Sequence, residues 1–428
     1  MKVYIRTLII LYLTVWGCSN LLAQESLSIT LHVEKAGTLE KEINDKIAHT
    51  KQLLITDLTL TGEIGGDDIM FLQYLAGRDN PTAKLSSLDI SEVNIVGGVP
   101  YSKKRDFYGN YTDITKDNEI GSCMFFNCNS LKYIKLPNTV TKIETFAFQI
   151  RSLKEIHLPE SLKEVYGAFW GCDSLEKISI SNKNPHFTVK DNVLFNKDKT
   201  ELVVCPPGKM GSYTIPNSVT KIKCASFNEC NKLIEIIISN SVLELDEHSI
   251  SGCDNLTEII IPNSVKNIQR CAIMYCYNLK KIVIPNSITY LDEGFLGGCP
   301  KLKELWLSIK KPINVYIDYD TIDSCVLYIP KGTYNEYYLA PGWGDFKDIR
   351  EFDDKPTSNE SVKPETLSIS VMANGISINS NLEVLMSIYS IGGQLVYHKL
   401  ILGHEQISLS KGVYIVVYDN YRQKVIVK

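Results

Sequence analysis

The stretch from residue 230 to residue 298 decides the fold, because it repeats one pattern every 23 residues. Residues 230–252 are CNKLIEIIISNSVLELDEHSISG, residues 253–275 are CDNLTEIIIPNSVKNIQRCAIMY, and residues 276–298 are CYNLKKIVIPNSITYLDEGFLGG. A cysteine opens each copy, a leucine follows three positions later, and an aliphatic triplet precedes a polar turn. A fixed period of this length indicates a solenoid, because each unit has a hydrophobic face that only its neighbours can cover.

Each repeat predicts two short strands that are joined by a bend. In an earlier copy, alternation at period two places Ile134 and Leu136 in the core and Lys135 on the outside. Asn138 follows a proline and marks the bend, after which residues 140–143 form the second strand. The predicted fold class is mostly β, a solenoid with short strands on two faces.

The solenoid needs an atypical unit at its open end, because an uncovered rung exposes its core. We assign residues 24–120 to an N-terminal capping region with irregular rungs and residues 121–352 to the solenoid. Residues 182–212 break the period and predict an inserted β-hairpin that projects from one rung. The aromatic residues within 326–352 predict a C-terminal cap.

The composition changes beyond the solenoid. Residues 353–365 form a polar linker with proline and serine. Residues 366–428 contain short alternating stretches separated by glycine-containing turns, which fit a small immunoglobulin-like β-sandwich of six or seven strands.

The N-terminus predicts export from the cytosol. Lys2 and Arg6 precede an apolar run that is too short to span a bilayer, and a signal peptide over residues 1–23 would end at Ala23. Cys18 offers an alternative, because the residues before it resemble a weak lipobox and would make the protein a lipoprotein. The net charge of -4 and the lack of any basic block argue against a nucleic-acid partner.

Twelve cysteines in an exported chain suggest disulfides, but the repeat argues for buried thiols instead. Ile150 fills, in one repeat, the slot that cysteines fill in the others, which indicates a small apolar core position. Cys123 and Cys271 share a second slot, but no histidine joins them at metal-ligand spacing, so we predict no metal site and no cofactor. The cysteines of the core slot are Cys128, Cys172, Cys230, Cys253, Cys276 and Cys299.

The repeat resembles the BspA-like leucine-rich repeats of bacterial surface proteins. The match consists of Cys-x-x-Leu-x-x-Ile-x-Ile-Pro-Asn-Ser-Val with Ala-Phe-x-x-Cys at the end of each turn, over roughly residues 121–352. The resemblance implies a secreted or surface-attached, non-enzymatic protein that adheres to host-matrix or bacterial-surface proteins. It implies no fixed set of binding residues.

The C-terminal residues resemble the sorting domain of type IX secretion. The matching segments are residues 388–396, 409–416 and 424–428. The resemblance implies a Gram-negative bacterium, recognition of this domain by the type IX secretion machinery, and a final location at the cell surface or outside the cell. Whether the domain is cleaved or retained stays open at this stage.

One outward position per rung forms a row along what should be the concave sheet. Its second half is apolar or aromatic, and such contiguous surface tends to mark a binding site. The alternative interpretation is that these residues only favour and stabilise the sheet, or that the insert covers them. The apolar half is Ile237, Ile260, Val283, Trp306 and Tyr328, and the charged rim beside it is Glu235, Glu258, Lys281 and Glu304. The polar half is Thr59, Asp89, Lys135, His157, Ser179 and Thr214.

The turn from Asn196 to Thr200, at the tip of the insert, is a second candidate for recognition, since loops often carry function. No residue pattern in the sequence indicates catalysis. His157 lies on the outward row without a neighbouring acid, and no phosphate-binding glycine loop or nucleophile elbow is present. We therefore predict no catalytic residues.

Three functions remain open from the sequence. The first is a surface protein that binds another protein through the sheet, and the second is a carbohydrate-binding surface module in which Trp306 and Tyr328 stack on sugars. The third is a structural envelope protein without a ligand.

Overall fold

A computed structural model describes residues 26–101, 113–353, 367–372, 375–390, 394–418 and 421–427. The predicted signal peptide, the alternative lipidation site Cys18 and nearly all of the predicted linker lie outside the described residues. The chain divides into two compact units, with the boundary between residues 356 and 357. Within the described ranges, no helix has the length and apolarity needed to cross a membrane.

The first unit is a β-solenoid whose successive turns place parallel strands side by side in a front sheet. The register aligns the inward residues of consecutive strands, so that Leu88, Ile134 and Ile156 lie in one buried row. The strands are Leu27–Val33, Ile55–Ile64, Ser87–Ile95, Tyr133–Lys135, Glu155–Leu158 and Lys177–Ile180, then Gly211–Thr214 and Leu233–Ile237, then Glu258–Ile260, Lys281–Ile284, Glu304–Leu307, Val326–Pro330 and Asp348–Phe352. The fold class expected from the period is confirmed.

Shorter strands form a back sheet and a third side. The back strands are Glu119–Ile120, Lys142–Ile143 and Glu164–Val165, then Lys221–Ile222, Glu244–Leu245, Asn267–Ile268 and Tyr290–Leu291. The strands of the third side are Ile250–Ser251, Ile273–Met274 and Leu296–Gly297.

The insert contributes to the back sheet. Its strands are Phe187–Lys190, Val193–Asn196 and Glu201–Val204, which pair in antiparallel order, and the last one pairs in parallel with Lys221–Ile222. The hairpin expected around residues 196–200 is therefore present, but it does not project from one rung. Its apolar residues are buried in the core, which is why this segment joins the sheet.

The N-terminal end is closed by helices that the period could not reveal. Strand Leu27–Val33, helix Leu39–Lys46 and helix Gly66–Leu75 lie within the region that the sequence assigns to the N-terminal cap. A 3-10 helix spans His49–Leu54. The buried Asp68 joins these pieces, because its carboxylate accepts hydrogen bonds from the backbone N–H of Leu39 at 2.9 Å and of Gly65 at 2.8 Å.

The cysteines of the core slot are all buried, as the repeat predicts. Burial raises the pKa of Cys128 and of Cys172 to about 12, so both thiols stay protonated and unreactive at neutral pH. The residue before each of these cysteines is left-handed, with positive φ at Asn127, Gly171, Glu229, Gly252, Tyr275 and Gly298. The three glycines meet this requirement without strain.

The C-terminal end of the solenoid is capped by helix Tyr319–Ile322, helix Tyr334–Leu339 and the aromatic residues around them. Trp343 is 1 % exposed, and its Nε1 donates to the carbonyl oxygen of Ile313 at 2.7 Å. Tyr337 is equally buried and donates its hydroxyl to the carbonyl oxygen of Ile309 at 2.7 Å.

The second unit is an antiparallel β-sheet with its own hydrophobic core. Its strands are Leu367–Met372, Gly375–Ser390, Leu395–Ser408, Gly412–Tyr418 and Tyr421–Val427. The all-β character is confirmed and the sandwich is seen in part, since the strands join in one sheet. The structure describes five strands instead of the six or seven expected, because Gly375–Ser390 and Leu395–Ser408 each continue through a register shift between Ser380 and Val384.

Candidate functional site

The outward row that the sequence predicts exists as a set of register partners on the front sheet. Pairings join Thr59 to Asp89, Lys135, His157 and Ser179 in succession. Further along, Thr214 pairs with Ile237. In a third stretch, Ile260 pairs with Val283, Val283 with Trp306, and Trp306 with Tyr328. We call this set the outward row. The structure extends it to Thr30 at one end and Arg350 at the other.

The apolar stripe consists of Ile237, Ile260, Val283, Trp306 and Tyr328. The last four are register partners, whereas the strand of Ile237 contacts that of Ile260 but belongs to a separate hydrogen-bonded stretch. Val283 is only 3 % exposed, and the other members are half-buried. The side chains therefore pack against one another along the row as well as facing outward. Val283 itself offers little surface to a partner.

The aromatic end of the stripe is tightly organised. The rings of Trp306 and Tyr328 stack with centroids 3.8 Å apart and planes 5° apart, so each covers one face of the other. Phe352, two strands beyond Trp306, lies with its centroid 5.4 Å from that of Trp306 and at an angle of 57°. Phe352 was not part of the predicted site. Phe352 comes two residues after Arg350, the outward-row residue of the same strand. Only the folded structure shows that its ring reaches the aromatic pair.

Two of the four charges in the rim beside the stripe are paired with each other. Lys281 and Glu258 form an ion pair at 2.8 Å. The indole Nε1 of Trp306 donates to the carboxylate of Glu304 at 2.9 Å, which fixes the ring in its stacked position. The Glu235 side chain makes no hydrogen bond or ion pair within the described part of the chain, and the indole that contacts Glu304 is neutral, so both carboxylates keep their negative charge.

The polar half of the outward row contains paired charges but no catalytic arrangement. Burial alone would raise the pKa of Asp89, but hydrogen bonds from Lys135 and Ser91 outweigh it and hold that pKa below its usual value. His157 Nδ1 lies 3.0 Å from Ser179 Oγ. No carboxylate contacts His157 in the described ranges, so no acid orients or charges the imidazole as a general base requires.

The tip of the insert satisfies its own polar groups. Asn196 Nδ2 donates to Thr200 Oγ1 at 2.9 Å, and Asn196 Oδ1 accepts from the backbone N–H of Glu201 at 2.9 Å. Lys197 donates its ammonium group to the backbone carbonyl of Asn182. These contacts make the segment Asn196–Thr200 a well-ordered turn, and none of them points to a ligand.

No metal site appears at the cysteines that share the second slot. Cys123 lies beside Thr145, whereas Cys271 lies beside Gly294 several turns away. Among the residues that the structure describes, no group of three or more histidine, cysteine or acidic side chains could hold a metal ion.

The repeats match a known family model. The model for the BspA-type leucine-rich repeat region matches residues 110–208 and 205–326, in six copies, which is just over half of the 428-residue chain. The chain belongs to this family. The matched residues include most of the front strands and the apolar stripe up to Trp306. No curated protein matches the chain significantly.

Solved leucine-rich repeat structures are similar to the chain. A leucine-rich repeat protein from Eubacterium ventriosum is 22% identical with a TM-score of 0.48, and the match covers 64% of this chain and 66%, just under two thirds, of that one. The pneumococcal vaccine antigen PcpA is 18% identical with a TM-score of 0.46, covering 70% and 80%. A leucine-rich cell surface protein from Faecalibacterium prausnitzii is 23% identical with a TM-score of 0.38, covering 60% and 74%.

Proposed function

We propose that this protein is a non-enzymatic, exported repeat scaffold that binds another protein through its front sheet. One observation carries the proposal. From Ile260 onward, the apolar stripe continues in register over neighbouring strands and ends in the stacked pair of Trp306 and Tyr328. Trp and Tyr are over-represented at the energetic centres of protein interfaces, and a rigid parallel sheet presents them without an ordering cost.

A protein partner fits this surface better than a glycan. A sugar could stack only on the outer faces, because the inner faces of Trp306 and Tyr328 cover each other and Phe352 packs against Trp306. Glu304, the polar group nearest to the indole, already accepts a hydrogen bond from it. An apolar segment of a protein needs neither an open ring face nor unpaired polar groups, and Glu235 would favour a basic residue beside it.

We further propose that the protein acts at a cell surface as an adhesin for a host-matrix or bacterial-surface protein. The family membership and the N-terminal export pattern support this location. The C-terminal sheet is proposed as the domain that the type IX secretion machinery of a Gram-negative bacterium recognises. Its support is the sequence resemblance together with its compact fold as a separate unit.

Binding to a panel of purified matrix proteins and to intact bacterial cells tests the function. Ile237→Lys places a charge in the stripe without touching the aromatic stack, and Trp306→Ala removes the stack itself. Tyr316→Ala is the matched control, because Tyr316 is 72% exposed and lies outside the front sheet. We expect both stripe variants to lose at least about tenfold in affinity, as truncation of interface hot spots does. Binding that is unchanged in both variants would refute the stripe as the site.

Export is tested separately by protease shaving of intact cells and mass spectrometry of the two termini. Surface-released peptides from the solenoid, a terminus at Gln24 and loss of the residues after about Pro364 are expected for the type IX route. A lipidated Cys18 with a retained C-terminal sheet, or no surface-accessible peptide, would contradict that route. An abundant surface protein that binds none of the panel would favour a structural envelope role.

A further inference from the structure

The front sheet is interrupted where the insert enters the solenoid. Strand Lys177–Ile180 ends one hydrogen-bonded stretch and strand Gly211–Thr214 begins the next. The hydrophobic core divides into two clusters at the same place. The turn 165–172 and the turn 223–230 are not joined by the regular ladder, because residues 201–205 of the insert pair with the later turn. We call the place where these two turns approach each other the junction.

Hydrogen bonding at the junction departs from the repeat. In a regular turn, the residue before the core cysteine donates its backbone N–H to a carbonyl of the next turn, as Gly252 does to Met274 at 2.8 Å. The equivalent Gly171 instead donates to the side-chain carboxylate of Glu229. Burial raises the pKa of Glu229, although the bond from Gly171 opposes this. A side chain thus replaces the missing backbone acceptor.

A small cavity remains between the two turns. It has a volume of about 10 Å³ and is lined by Phe169, Trp170, Val204, Pro207 and Asn228, among other residues. This volume is at the lower limit for one water molecule, which needs roughly 10–15 Å³.

Two hydrogen-bond donors in this lining have no partner. Trp170 Nε1 and Asn228 Nδ2 are both buried and unpaired within the described residues, and Asn228 as a whole is 5% exposed. The indole is held in place by an edge contact with Phe146, whose ring centroid lies 4.9 Å away. Gly167 leaves room for it, because a Cβ at that position would lie 3.2 Å from Trp170 Nε1.

We propose that the cavity binds one ordered water molecule, which accepts hydrogen bonds from Trp170 Nε1 and Asn228 Nδ2 and links the two halves of the solenoid. A buried N–H group without a partner is costly, and a polar cavity of this size is where such waters are found. Trp170 belongs to the turn before the insert and Asn228 to the turn after it. The water therefore links the turns on the two sides of the insert.

A high-resolution crystal structure of the full chain tests the proposal directly. We expect density for one water molecule about 2.7–3.2 Å from both nitrogen atoms. Crystals grown with bromide provide the second arm, since a halide would also accept two N–H bonds. An empty cavity, or an anomalous bromide peak in it, would overturn the proposal.

A double-mutant cycle tests the link in solution. Trp170→Phe and Asn228→Leu each remove one donor, and urea unfolding of both single variants and the double variant gives their coupling. Each variant changes the unfolding equilibrium constant by some factor. If both donors bind one water, the factor for the double variant should differ at least about threefold from the product of the two single-variant factors. Additive effects would contradict a bridging water. Should a variant fail to fold, the crystallographic test decides alone.

Discussion

Replacing Asn184 by alanine should destabilise the solenoid strongly at the start of the insert. Asn184 is fully buried. Its Nδ2 donates to the carbonyl oxygens of Glu160 and Leu162, both at 2.9 Å, and lies 3.3 Å from that of Pro159. Its Oδ1 accepts from the backbone N–H of Phe187 at 2.6 Å and from that of His186. One side chain thus joins the preceding bend to the first strand of the insert.

The size of the effect follows from the backbone groups that alanine leaves without partners. The carbonyl of Leu162 and the N–H of Phe187 lie in buried surroundings. His186 and Glu160 are exposed, so water can replace their bonds. An unsatisfied buried polar group costs about 1–3 kcal/mol, so the two groups predict a loss of about 2–6 kcal/mol.

Urea unfolding followed by circular dichroism measures this loss, and hydrogen exchange locates it. We expect faster exchange in strand Phe187–Lys190 and in the bend before it, because repeat proteins lose stability locally. Asn182→Ala is the matched control. It is the same substitution two residues away, on an exposed side chain that makes no described hydrogen bond, and it should change stability by less than about 0.5 kcal/mol.

Asn184→Asp sharpens the test. The aspartate keeps an acceptor for Phe187 but turns an oxygen toward the carbonyls that the amide nitrogen contacts. Burial and these carbonyls should raise the pKa of this aspartate, so the variant should be least stable at neutral pH and regain stability as the pH falls. Equal stability of Asn184→Ala and Asn182→Ala, or no recovery of the aspartate variant in acid, would refute the reasoning.

Three further predictions follow from the same structure. Cys253→Ser should cost about 1–3 kcal/mol in chemical unfolding, because a hydroxyl is more costly to bury than a thiol even beside the carbonyl oxygen of Phe227, whereas Cys253→Ala, which buries no polar group, should cost less. A larger loss for alanine than for serine would contradict this order. Trp306→Ala should lower the unfolding free energy by at least about 1 kcal/mol through loss of the stack on Tyr328, and stability equal to wild type would show that the stack is incidental. Burial lowers the pKa of His248, so the folded state binds fewer protons than the unfolded state and stability falls as the pH drops below about 6.5. His248→Asn, which tolerates the left-handed backbone there, should flatten that pH dependence in thermal melts, and an unchanged slope would contradict the assignment.

The solenoid could be predicted because its determinants are local and repeated. Ile134 and its equivalents alternate with outward residues at period two, and the same pattern recurs in every turn, so the register follows once the turns stack. The cysteine slot could be predicted for the same reason, since Ile150 at an equivalent position shows what the slot accepts.

The candidate site could be predicted only as a row. The period placed Trp306 and Tyr328 next to each other, and the structure has them adjacent in register. It could not reveal that their rings stack, that Glu304 is occupied by the indole, or that Val283 is covered. Those outcomes depend on side-chain rotamers and on packing between strands, for which a repeat pattern contains no information.

The solenoid, the inward and outward faces of its strands and the buried cysteine row can be read from the chain, because each depends on residues close together in the sequence and recurs with a constant step. Four features become visible only in the folded chain: the insert in the back sheet, the Asp68 carboxylate beneath the N-terminal cap, the bonds from Asn184 to the preceding bend, and the junction between the turns of Trp170 and Asn228. Each of these joins segments that are far apart in the chain and occurs once. A single long-range contact leaves no periodic trace in the sequence, so it becomes visible only when the chain is folded.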